Sequence, residues 1–159
     1  MQAAYAKSNN NSYNSNKTKK VYALTTKKLN TMTDLDNKKK KQFVCEYYDL
    51  AVNKKDFEKA KKYMGPRYKQ HNPLVKDGPE GLHEFVEFLK ANAPEAHSEI
   101  LNVFIDGDYV ILHVHSIRKP NTNGRAIIEI FRLENGLVDE HWDVIQEIPD
   151  ESANPNGMF

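Results

Sequence analysis

Residues 127–144 read IIEIFRLENGLVDEHWDV, and this stretch decides the fold. Two alternating, apolar-rich runs flank Asn135-Gly136, a pair whose backbone suits the tight turn of a β-hairpin. The spacing predicts strands over 125–134 and 137–148. Working outward, GDYVILHVHS (107–116) lies in a second such unit, with Asp106-Gly107 joining strands predicted over 98–105 and 109–118. Pro120 to Gly124 supplies the longer turn between the two hairpins.

Upstream the period changes from two to that of a helix. Phe43, Val44, Tyr47, Tyr48 and Ala51 predict an amphipathic helix over 37–53, with Lys38 to Lys41 as its solvated start. A short helix fits 56–64, with Phe57, Ala60 and Met64 inward and Gly65-Pro66 as the stop. In DGPEGLHEFVEFLK (77–90), Asp77 can cap, Pro79 suits the first turn, and Leu82, Phe85, Val86 and Leu89 form one stripe. Helices followed by a four-stranded meander predict an α+β domain, with the helices against one face of the sheet.

Side chains alternate across a strand, so parity sorts each strand into two faces. His113 and His115 share a face with Ile111 and Ile117. Glu129 shares one with Ile127, Phe131 and Leu133, and His141 and Asp143 share one with Asp139 and Ile145. Aligning these sets gives an apolar face interrupted by five ionisable groups, expected to meet in a sheltered cavity under the helices. Charged groups are costly to bury alone, so such a cluster is either mutually paired or functional. The opposite face is expected to carry Val110, Leu112, Val114, Ile128, Ile130, Val138, Trp142 and Val144. In YKQHNP (68–73), His71 and Asn72 can reach the pocket mouth, since Pro73 holds Asn72 extended, or Asn72 can instead make a turn by bonding its own backbone. His113-x-His115 with His141 is also a possible metal-ligand set. Its likeness to a cupin opening stops at Lys119-Pro120, where a glutamate is required.

The net charge of +1 hides an asymmetry. Residues 1–41 carry ten lysines against Asp34 and Asp36, whereas 42–159 carry 13 basic and 20 acidic groups. An acidic domain is a poor match for phosphate backbones, which argues against nucleic acid as a partner. No apolar run approaches the roughly 20 residues of a membrane helix. The single cysteine, Cys45, can form no internal disulfide and reads as a thiol on a helix face. These features give an intracellular, cytoplasmic expectation. Residues 1–36 read as a basic leader, disordered over 1–33, where the Ser-rich, acid-free composition also resembles an organelle transit segment. The domain is expected over 37–150 and a tail over 151–159.

Taken in order, YKQHNP, DGPEGLHEFVEFLK, GDYVILHVHS, the 127–144 block and ANPNGMF resemble the SnoaL-like proteins of the nuclear-transport-factor-2-like superfamily, over about 37–159. The resemblance implies a cone-shaped curved antiparallel sheet wrapped around about three N-terminal helices, with a pocket inside. It implies aldol condensation or isomerisation of a small carbonyl compound without a cofactor, Asp143 moving the proton. His141 stands beside it in a similar H-x-D arrangement. Glu129 stands where the cyclases have a histidine. The expected catalytic groups are Asp143, His141 and Glu129, with His113, His115, His71, Asn72, Phe131 and Ile145 binding the substrate. The superfamily also contains non-catalytic binding modules, so a pocket that only holds a ligand is the alternative. A back-to-back homodimer through the outer sheet face, with Trp142 near its centre, completes the expectation.

Overall fold

The computed structural model describes residues 36–159. The leader and transit readings of residues 1–33 lie outside the described residues. The chain divides into two units, Met1–Lys38 and Lys39–Phe159, and the account below concerns the second.

The first helix among the described residues, α1, covers 39–48 of this unit and widens into a π-type turn over Asp49–Asn53. Lys40 does more than face solvent: its Nζ donates to the Gly107 carbonyl at 2.8 Å and pairs with Asp108 at 3.0 Å, pinning a hairpin turn. Helix α2 is short, Phe57–Ala60 with a 3-10 turn over Lys61–Tyr63. Asp56 caps it by accepting from the Lys59 N–H. Helix α3 spans Gly78–Asn92 and buries Leu82, Val86 and Leu89. Asp77 occupies its N-cap position but makes no cap; its Oδ1 instead accepts from the Gln70 backbone N–H at 2.8 Å.

The sheet has five strands rather than four. Strands β2 (His97–Asp106), β3 (Tyr109–Ile117), β4 (Arg125–Glu134) and β5 (Leu137–Glu147) form the expected antiparallel meander. The additional strand β1, Met64–Gln70, lies parallel to β5 at the edge, giving the order β1-β5-β4-β3-β2. Its sequence, MGPRYKQ, hides it: Gly65-Pro66 reads as a breaker, and an edge is where a sheet tolerates proline. Asn135 and Gly136 both take positive φ, 54° and 77°, as the predicted tight turn requires. Gly124 is fixed by closeness as well as by φ, since a Cβ there would sit 2.6 Å from the Ser116 carbonyl. The result is the expected α+β fold, helices packed on one face of a curved, mainly antiparallel sheet.

Register corrects the alignment of faces. Val110, Leu112 and Val114 pair with Phe131, Glu129 and Ile127, and all three are fully buried in the core. His113 and His115 pair with Ile128 and Ala126 and therefore lie on the opposite side. Strand β5 carries a bulge between its pairings with Arg132 and Leu133, where Asp139 is the extra residue. That bulge turns Val138 inward, to 0% exposure, while Trp142 and Val144 stay outward. Four of the eight residues expected on the outer face are thus core residues. The core itself is aromatic at its centre, with Tyr47 edge-on to Phe131 at a centroid distance of 5.7 Å.

Candidate functional site

The inner face of β4 and β5 presents Glu129, His141 and Asp143 side by side, because Glu129 pairs with Asp143 and Phe131 with His141. Glu129 and His141 are buried and Asp143 partly so. Helix α1 closes the space with Tyr47 and Tyr48, β1 with Tyr68 and Gln70, and α3 with Leu82 and Phe85. Phe131 stacks on the His141 ring at 4.8 Å, and Ile145 stands at the rim. The cavity left among them is about 50 Å³. A single water occupies roughly 10–15 Å³ on that measure, so the space takes a carbonyl and its neighbouring atoms rather than a polycycle.

Hydrogen bonds fix the state of this cluster. Gln70 Oε1 accepts from the backbone N–H groups of His71 and Asn72, both at 2.9 Å. A backbone N–H can only donate, so that atom is the carbonyl oxygen, and His141 Nδ1, 2.9 Å away, must donate to it. His141 Nε2 then meets Glu129 Oε2 at 2.6 Å. One proton must lie in that contact, on the imidazole or on the carboxyl. The pair therefore holds a transferable proton. Asn72 is oriented in the same way: its Oδ1 accepts from Leu74 N–H, which turns Nδ2 to donate to Asp143 Oδ2 at 2.5 Å.

Burial raises the Asp143 pKa above the ordinary carboxylate value; Glu129 nearby adds to the rise, while Asn72, His141 and Arg118 oppose it. Burial likewise holds the hydroxyls of Tyr47, Tyr48 and Tyr68 protonated far above their ordinary range, with the Glu129 charge reinforcing each. The Tyr47 hydroxyl has no partner in good hydrogen-bond geometry among the described residues, and the Tyr68 hydroxyl is its polar neighbour. A buried hydroxyl donor so poorly matched at a cavity wall is costly, and a ligand oxygen would satisfy it better.

The structure brings Asp143, His141, Glu129, Asn72, Phe131 and Ile145 together, and it separates three others from them. His113 and His115 lie across the sheet against Phe159, at 5.0 and 4.9 Å between rings. His71 also points outward, stacked on Trp142 at 4.6 Å with its Nε2 2.8 Å from Glu140 Oε1. The metal set His113, His115 and His141 is consequently divided between two faces. Ligand atoms of Glu129, His141 and Asp143 do lie within 4.8 Å of one another, but both nitrogens of His141 are already engaged.

Sequence reasoning missed Tyr47, Tyr48, Tyr68, Gln70, Ser116 and Arg118, all of which line the cavity. Arg118 was legible in principle: it continues the inward series Val110, Leu112, Val114, Ser116.

A family model of the SnoaL-like domain matches residues 44–141. Solved structures share the fold. TsrD from Streptomyces laurentii is 21% identical, with TM-score 0.57, over 67% of this chain and 87% of that one. A provisionally assigned polyketide cyclase from Acidithiobacillus ferrooxidans is 20% identical, with TM-score 0.58 over the same shares. A SnoaL-like protein of unknown function from Burkholderia thailandensis is 18% identical, with TM-score 0.58, over 68% and 94%. No curated protein matches the chain. With most of β1 through β5 inside the matched span, the chain belongs to the SnoaL-like domain family.

Proposed function

We propose that this protein is a cofactor-independent acid/base enzyme acting on a small carbonyl compound, by aldol condensation or isomerisation. The observation that carries the reading is the Asp143 carboxyl, raised in pKa by burial and placed beside a proton-holding Glu129–His141 pair in one cavity. A base is most effective when its pKa approaches the working pH, and desolvation moves Asp143 in that direction. Asp143 takes a proton from the carbon next to the carbonyl. The electron pair moves onto the carbonyl oxygen, which accepts a hydrogen bond from the Tyr47 hydroxyl and a proton or hydrogen bond from the Glu129–His141 pair. The enolate then either regains a proton at another carbon or attacks a second carbonyl. Phe131 and Ile145 wall the site, and Asn72 holds Asp143 in one orientation.

The test is deuterium exchange at the α-carbon of small ketones, acetone and butanone among them, followed by NMR. Wild type should catalyse exchange and Asp143→Asn should lose it by about 10²–10⁴-fold, the usual contribution of a positioned base. Equal rates in both proteins would remove Asp143 from the mechanism. Absence of exchange in wild type, with the ketones bound, would leave a non-catalytic pocket. The same reading includes a two-fold partner over the remaining outer strip of Ile128, Ile130, Trp142 and Val144. Light scattering should give twice the chain mass for wild type and the single-chain mass for Val144→Asp.

A further inference from the structure

Arg118 is the one arginine or lysine among the described residues of the cavity wall, and the acid/base reading gives it no role. It is partly buried, its guanidinium carbon lies 5.3 Å from the centre of the Phe85 ring, and it forms no ion pair among the described residues. Arg118 also lines a second space, a groove of about 440 Å³ between the end of α3 and the β3–β4 turn. Phe88, Asn92 and Ala93 form one wall, and Lys119, Thr122, Gly124, Arg125 and Glu147 the other.

The charges in this groove do not cancel. Arg125 is neutralised by Glu147 at 2.6 Å. Lys119 is exposed and, like Arg118, without an ion pair among the described residues. Two positive charges therefore stand over the groove without an ion pair among the described residues, since Glu147, the carboxylate in its lining, is held by Arg125. The carboxyl end of α3 opposes an anion there, but a helix end amounts to only about half a charge and is screened by solvent. Burial and the nearby Arg125 lower the pKa of Arg118, while Tyr48, Glu129 and Asp143 on the inner side oppose them. Meanwhile the inner cavity of about 50 Å³ is far below the roughly 300–1,000 Å³ of ordinary ligand pockets.

We propose that the groove bounded by Arg118 and Lys119 is a second subsite, binding the anionic end of a substrate whose carbonyl end enters the inner cavity. The substrate class is a keto compound bearing a carboxylate or a phosphate. Arg118, lining both spaces, takes the anion; Lys119 adds attraction from the rim; Phe88, about half exposed, covers the connecting carbons. This inference rests on the proposed carbonyl chemistry for what occupies the inner cavity, but its charge preference does not depend on any turnover.

The probes are 4-oxopentanoate, its uncharged methyl ester, and 4-oxopentyl phosphate, with affinities read from amide chemical shifts in the full chain. Wild type should bind the anions about tenfold or more tightly than the ester, equivalent to 1.4 kcal/mol or more. Shifts should localise to Phe88, Thr122 and Gly124, and the preference should shrink as salt is raised. Arg118→Gln should bring the ratio of affinities to about one, Arg118→Lys should keep part of it, and Lys119→Gln should reduce it by a smaller factor. Because Arg118→Lys keeps a cation over Phe85, it separates lost anion binding from a folding defect. A preference for the carboxylate would identify a keto acid, and one for the phosphate a phosphorylated substrate; both support the subsite. Equal affinities for acid and ester, an undiminished preference in Arg118→Gln, or no shift at the groove amides would overturn it. An anion preference that persists in Asp143→Asn, without exchange in wild type, would refute the chemistry and leave the subsite standing.

Discussion

Glu140 and Asp143 are three residues apart on the same strand, and the sheet gives them opposite characters. Glu140 faces outward among cations. Burial alone would raise its carboxyl, but hydrogen bonds from His71, Arg132 and Lys69 bring it down to about 2. Asp143 faces inward, where burial dominates and the partner is a neutral amide, and its pKa rises. Asp139 on the same side is likewise matched by positive charge, from Arg67 and Arg132. The inner face spends its hydrogen bonds on holding groups in place instead. A matched carboxylate stabilises a fold; an undermatched one is reactive. The difference assigns structural work to one face and chemistry to the other.

The sharpest way to break that division is the Asp143→Asn exchange experiment, with the largest expected effect of all. Next in size is a stability comparison between neighbours on β3. Leu112 is fully buried against Glu129, whereas His113 lies outside against Phe159. Leu112→Ala should cost about 2–5 kcal/mol in denaturant unfolding, the range for cavity-forming truncations. His113→Ala should cost roughly 0.5–1 kcal/mol, as for one partly exposed aromatic contact. A reversal of that order would mean that β3 faces the other way and that the two histidines do line the cavity.

That orientation marks the limit of what the sequence discloses. Parity sorted β3 into Val110, Leu112, Val114 on one side and His113, His115 on the other, and the sorting holds within β3 and β4. What parity lacks is the register between strands, because the Pro120–Gly124 turn has no fixed geometry readable from its residues. Joining sets by shared chemistry put the histidines with Glu129. Joining them by burial would have chosen the uninterrupted apolar trio, because adding two imidazoles to a core that already holds Glu129 and His141 is expensive. The β5 bulge exchanged Val138 and Asp139 for a similar reason: one inserted residue reverses a period of two. The hairpin at Asn135-Gly136 and the α3 stripe were legible because each is local. Gln70, which orients His141, was not, since its role depends on the parallel pairing of β1 with β5.

The two carboxylates should also separate by pH. The folded pKa of Glu140 lies below its ordinary 4.5, so its stabilisation is present above that value and lost as pH falls towards about 2. Asp143 has the opposite sign. Its folded pKa is raised, so it costs stability at neutral pH and costs nothing below its ordinary 3.8. Glu140→Gln should therefore be less stable than wild type at pH 7, by roughly 1 kcal/mol for a charge in a partly exposed network. That gap should close in acid. Asp143→Asn should melt no lower than wild type at pH 7, and any gain should vanish near pH 4. Severe unfolding of Asp143→Asn at neutral pH would make Asp143 a structural partner of the pair beside it and remove the contrast.

The smallest expected effect tests whether the outer face touches the chemistry at all. Phe159 lies over His113 and His115, yet it is 46% exposed, so its rings meet at only part of their surface. An aromatic pair contributes about 0.5–1.5 kcal/mol when well packed, and partial exposure puts Phe159→Ala at the lower end. The five strands lie between this contact and Asp143, and neither histidine reaches the cavity. Deuterium exchange in Phe159→Ala should consequently match wild type at every pH, while His113 and His115 ring signals shift in NMR as the aromatic ring current disappears. A changed exchange rate with those same ring shifts would show that the sheet couples its two faces. The separation of structural from chemical work would then be a matter of degree, and His113 and His115 would return to the site through β3 rather than through contact with the substrate.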